Sequence, residues 1–180
     1  MFNTSPYSAG ANLALSLAFA ARDAGLSLPA QIVAISPGVN LNMDNPDMYR
    51  VAPYDCILSP EHCQRGSRLW AGVHIPPSAK PGSVPIPPEI LANPYLNTLA
   101  GDLSIFTTHG TKLIVVSGQW DILHPDILVF VEKAEKAGVQ MTYIEGEHQH
   151  HCFAVTVGAS PEARQAAELI NQQVKANGKN

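Results

Sequence analysis

The chain has 180 residues, enough for one domain, with 46% hydrophobic and 14% charged residues, a composition that builds a core and excludes a disordered chain. Its net charge of −4, with no long run of one sign, gives no basis for binding nucleic acid or an anionic membrane. The longest apolar stretch, Ala9 to Ala21, is broken by Asn12 and Ser16 and falls short of the ~20 residues a membrane span needs.

No basic leader opens the chain, so a cytoplasmic protein is expected. Cys56, Cys63 and Cys152 are odd in number and loosely spaced, which fits reduced thiols and not a disulfide framework or a zinc knuckle. The sequon Asn3-Thr4-Ser5 matters only in a secreted chain.

In chain order, Ala9 to Ala24 favours helix, with Leu13, Leu17, Ala20 and Ala21 on one stripe and Gly25 as its stop. Gln31–Ser36 is a short apolar run ended by Pro37-Gly38, the pattern of a strand buried on both faces. From Val39 to Gly110 the chain is rich in Pro, Asn and Asp, with breakers at Pro76-Pro77 and between Pro81 and Pro88. Only one helix is predicted there, from Pro60 through Trp70, with Ser59 as N-cap. That stretch reads as an excursion outside the sheet.

Regular alternation then returns. Lys112–Ser117 is a buried strand, and Pro125–Ala137 a helix with Ile127, Phe130, Val131 and Ala134 as its apolar face and Gly138 as its end. Gln140–Ile144 is the next strand, and a final helix is predicted from about Pro161 to Lys175. Strands and helices alternating through short connections predict an α/β fold: a mostly parallel sheet with helices on both faces.

Three places carry chemistry. Ser8 stands immediately before a helix and is followed by the small residues Ala9 and Gly10, the setting of a sharp strand-to-helix turn that exposes a nucleophilic Oγ. The Ala9 N–H would then supply one half of an oxyanion hole. The competing reading of Ser8 is a plain helix N-cap. Asp121, directly after the Lys112–Ser117 strand, lies where α/β sheets gather catalytic groups; a turn residue is its alternative, with Asp126 the better placed capping residue. His148, His150 and His151 follow the next strand end, and the order Ser, Asp, His along the chain suits a hydrolytic triad. The same histidines with Cys152 have competing readings as a metal site or a solvated loop, but no Asp or Glu stands at zincin spacing, so no metal and no cofactor are expected.

Tyr7-Ser8-Ala9-Gly10-Ala11-Asn12-Leu13-Ala14 resembles the elbow of the hormone-sensitive-lipase-like esterases, also called α/β-hydrolase fold-3. The likeness continues through Ala21–Leu26, Ala34-Ile35-Ser36-Pro37, Asn93-Pro94-Tyr95, Leu113–Leu123 with its Gly-x-x-Asp turn, and His151-Cys152-Phe153, similar to the family's His-x-Phe. The resemblance implies a carboxylesterase working through an acyl-enzyme, with Ser8 as nucleophile, His151 as base and then acid, Asp121 as its orienter, and a small-molecule ester as substrate. It also implies one domain over 1–180, with the excursion at about 39–110. Pro6 stands where the family has glycine, so a disturbed elbow is expected. Seven residues before Ser8 are too few for an ordinary core strand, let alone the family's preceding strands and His-Gly-Gly-Gly loop. The expectation is therefore a C-terminal portion of the fold, with an open sheet edge suited to self-association or a partner strand; a catalytically silent interaction module is the alternative to an esterase. Trp120, Tyr54, Trp70 and Tyr95 are candidates to line an apolar pocket.

Overall fold

The computed structural model describes residues 3–4 and 6–177. Four parallel strands form one sheet in chain order: β1 (Asn3–Thr4), β2 (Gln31–Ile35), β3 (Lys112–Gly118) and β4 (Met141–Gly146). Helices α1 (Ala9–Asp23), α6 (His124–Lys136) and α7 (Pro161–Asn177) connect or follow them. Between β2 and β3 lie α2 (Asp47–Val51), α3 (Pro60–Trp70), α4 (Pro88–Leu91) and α5 (Ser104–Thr108), with no strand among the described residues. Among the described residues, no helix is long and apolar enough to cross a membrane.

The alternation of β2 and β3 divides the core in two, because successive strand residues point to opposite faces. Ile32, Ala34, Leu113 and Val115 pack with Leu15 and Phe19 of α1 and with Ile127 and Phe130 of α6. Val33, Ile35, Ile114 and Val116 pack on the other face with Phe153 and with Ala163 and Ala166 of α7. Both faces of the central strands are covered, as their unbroken apolar runs require.

The stripe predicted for α1 is corrected here. Leu13 and Leu17 are 48% and 53% exposed, whereas Ala11, Leu15, Ala18 and Phe19 are fully buried. The helix carries two apolar faces, and the sheet took the one bearing the aromatic ring. Its end is as predicted: Gly25, at φ +67°, donates to the Arg22 carbonyl while Leu26 donates to that of Ala21, so the last carbonyls are satisfied by a left-handed glycine. The Ser59 Oγ accepts from the His62 N–H at the start of α3, as its N-cap role requires.

Only a two-residue strand leads into the elbow, short of an ordinary core strand as expected. Asn3 and Thr4 pair in parallel with Gln31 and Ile32, and Tyr7 makes a further bridge to Ile35. Pro6 has no N–H to give the ladder, but its carbonyl accepts from Ile35 at 3.2 Å, and the Ser8 N–H donates to the Ile35 carbonyl at 2.8 Å. The Pro6 ring also leaves Gly10 room: a Cβ at Gly10 would lie 3.4 Å from the Pro6 Cβ. The turn thus closes with proline in the glycine position.

Candidate active site

Ser8 occupies the turn between the β1 segment and α1 with φ 54° and ψ −127°, and its side chain does not cap the helix. The N-cap reading of its side chain therefore fails. Its Oγ instead lies 2.9 Å from Nε2 of His151. Nδ1 of His151 lies 2.9 Å from Oδ2 of Asp121. Since a carboxylate only accepts, Nδ1 carries a proton, and in the neutral ring Nε2 is left to accept from the serine. Asp121 is fully buried and His151 nearly so, which strengthens both interactions.

Each side chain is held by its backbone. Asp121 sits in a tight turn after β3: its N–H donates to the Gly118 carbonyl, and its own carbonyl accepts from His124. Its Oδ1 accepts the Leu123 N–H at 2.9 Å. Asp121, not Asp126, thus serves the N–H groups opening α6; Asp126 is buried and accepts from the side chains of Asn40 and Asn45. The loop bearing His151 crosses the end of β3 so closely that a Cβ on Gly118 would overlap the Gln149 carbonyl. Ser36 completes the support, its buried Oγ accepting the Cys152 N–H at 3.0 Å. Ser8, Ser36, His148 and Cys152 all have positive φ. Backbone of this kind is costly and collects where function demands a fixed geometry. Gly118 is the glycine of the Gly-x-x-Asp turn, whereas nothing local to Ser36 beyond its place at a strand end points to its part in the site.

The other two histidines turn away. His150 donates from Nδ1 to the His151 carbonyl at 2.8 Å. His148 stacks on Trp120 with ring centroids 4.9 Å apart. Among the described residues, no three His, Cys, Asp or Glu side chains converge in a way that could hold a metal ion.

Burial opposes charge on His151, but hydrogen bonds to Asp121 and Cys152 and the negative charge of Asp121 outweigh it and push its pKa up to about 10. Ala9 opens α1, and its N–H has no acceptor among the described residues. That N–H is free to meet a developing oxyanion at the positive end of the helix. Beside Ser8 lies a pocket of about 300 Å³ walled by Ala9 and Leu13 on one side and by His62, Cys63, Gly66 and Trp70 of α3 on the other. Of the four aromatics considered for such a pocket, Trp70 lines it. Tyr54 and Trp120 stack on each other, and the Tyr95 hydroxyl bonds Asp23 at the end of α1. Burial, with Asp121 and Asp55 nearby, pushes the Cys63 thiol up to about 12, so it presents a neutral wall.

A parallel sheet whose strand ends gather serine, aspartate and histidine in that chain order defines an α/β hydrolase. The family described as the alpha/beta hydrolase fold matches residues 7–155, and the chain belongs to that family. An acetyl-hydrolase of Streptomyces hygroscopicus is 30% identical over 163 residues, covering 90% of this chain and 48% of that protein. Among solved structures, EstE5 superposes with a TM-score of 0.80 at 21% identity, covering 97% of this chain and 53% of its own. An esterase from the bacterial hormone-sensitive lipase family gives 0.78 at 20% identity, covering 97% and 52%. The chain spans about half the length of the relatives it matches.

Proposed function

We propose that the chain is a serine hydrolase of carboxylic esters, with Ser8 as nucleophile, His151 as general base and acid, and Asp121 as the group that orients and stabilises the imidazolium. The carrying observation is the continuous array Ser8 Oγ–His151 Nε2 and His151 Nδ1–Asp121 Oδ2, each contact 2.9 Å. Ser8 Oγ attacks the ester carbonyl as its proton passes to His151 Nε2. The Ala9 N–H faces the oxygen on which charge develops. Collapse of that intermediate expels the alcohol, which takes the proton from His151, and water then releases the acid by the same steps in reverse roles. A pocket of about 300 Å³ and a relative named for acetyl hydrolysis both favour a small acyl group.

A fluorophosphonate probe and p-nitrophenyl acetate test the reading. Wild type is expected to label at Ser8 and to turn over, and Ser8→Ala to lose labelling and roughly 10⁴-fold or more in kcat. Folded wild-type protein that neither labels nor hydrolyses supports the catalytically silent alternative, which the half-length match to the relatives favours.

A further inference from the structure

We infer that Asp55 is a positioning residue for the acid-bearing turn, holding Asp121 toward His151 from the same loop that leads into the pocket wall. This rests on reading Ser8, His151 and Asp121 as the reacting set.

The turn after β3 has to dispose of several backbone N–H groups in a water-poor place, where an unbonded one costs about 1–3 kcal/mol. Asp121 N–H goes to Gly118 and Leu123 N–H to Asp121 Oδ1. The N–H of Ile122, a residue only 1% exposed, is taken by Oδ2 of Asp55 at 3.0 Å, from 67 residues earlier in the chain. The other oxygen of Asp55 accepts the N–H groups of Ile57 and Leu58, at 2.8 and 3.0 Å. One carboxylate therefore shapes its own loop with one oxygen and grips the acid turn with the other.

The neighbours reinforce the grip. Tyr54 stacks on Trp120 at 5.6 Å, and Trp120 stacks on His148 at 4.9 Å. The residues on either side of Asp121 are thus both held by Tyr54-Asp55, and the loop that carries His151 is drawn into the same stack. A few residues on, Leu58, His62 and Cys63 line the pocket beside Ser8.

Removing the Asp55 carboxylate leaves the buried Ile122 N–H unpaired in the turn that carries Asp121. The turn must shift to satisfy it, and a shift of about 1 Å in the Asp121–His151 array costs on the order of 10²-fold in rate. The effect falls on kcat, because Asp121 does not bind the ester.

Asp55→Ala is the test, with kcat and KM measured on p-nitrophenyl acetate and the His151 titration followed by NMR of its ring Cε1–H. The expected result is a 10- to 100-fold fall in kcat, KM within about threefold, and a His151 pKa clearly below the wild-type value. A merely structural role would lower the melting temperature and leave the His151 titration of the folded protein unmoved. Asp55→Asn keeps one acceptor for two tasks and is expected to lose threefold or more in kcat; it also decides the matter if Asp55→Ala does not fold. Folded variants with kcat within twofold of wild type and an unchanged His151 titration overturn the inference. Wild type without esterase activity sinks the proposed function alone, since the His151 titration still reports whether Asp55 orients Asp121.

Discussion

His151 has opposite demands placed on it. As a base it must be neutral to take the Ser8 proton, yet the Asp121 carboxylate favours its charged form and lifts its pKa to about 10. Below that value most of the base is occupied, so kcat/KM is expected to rise with pH from neutral toward about 10 instead of levelling near 7, where an unperturbed histidine is already free. Stability has the opposite sign. A histidine whose folded pKa is raised contributes fully below its unfolded value of about 6.5 and loses that contribution as pH climbs through the folded value. A pH–rate profile flat between 7 and 9 on a folded enzyme would show that Asp121 does not hold His151 in this way. At this scale part of the arrangement was readable: Ser8 stands before a helix that opens with small residues, and Asp121 and His151 follow the Lys112–Ser117 and Gln140–Ile144 strand runs. Ser36 and Asp55 were not, because an oxygen that serves a backbone N–H far along the chain leaves no pattern in its own neighbourhood.

Helix α1 shows how an element can be recognised while its orientation is misjudged. Its extent follows from an alanine-rich run between a sharp turn and a left-handed glycine, and both ends lie within a residue of the prediction. Leu15 with Phe19 has the same spacing as the predicted Leu13 with Leu17, and only the packing partners choose between them. Phe19 settles the choice: its ring meets that of Phe106 with centroids 5.9 Å apart, a contact made by residues 87 apart and invisible to local pattern. Leu15→Ala is expected to cost about 2–5 kcal/mol in chemical denaturation. Leu17→Ala, on the half-exposed face, is expected to stay within about 0.5 kcal/mol. Equal losses would mean that Leu17 is covered and that the helix is turned relative to the sheet. Leu13, beside it, lines the pocket, so the second stripe has a use of its own at the end nearest Ser8.

At the scale of the molecule, the alternation of strands and helices was enough to lay out a parallel sheet covered on both faces, because each apolar run needs a cover and short connections leave few ways to supply it. The 39–110 stretch resisted, since its helices α2, α4 and α5 are each only four or five residues long and give no period to read. Those segments still bear on the whole, for Met48, Val51, Ile105 and Phe106 join the core cluster built on α1 and α6. Beside the acid turn, α6, β3 and β4 share a polar set: His124 Nδ1 lies 2.9 Å from Ser117 Oγ, which lies 2.8 Å from the Tyr143 hydroxyl. Burial holds the His124 pKa below its usual value despite the nearby charges of Glu145 and Asp121, with Arg50 adding to the depression. In the unfolded chain the same histidine takes up a proton at about pH 6.5. The unfolded state then binds more protons than the folded state, so stability falls as pH drops from about 6.5 toward the folded value. His151, with its raised pKa, gains stability over the same interval and offsets this loss, so the His124 contribution is read as a difference between wild type and variant. His124→Asn, which keeps a polar partner for Ser117 and removes the titration, is expected to hold its melting temperature better than wild type as pH falls from 7.5 to 5.5. A variant that loses as much as wild type over the same interval would place the acid sensitivity of the fold elsewhere than at His124.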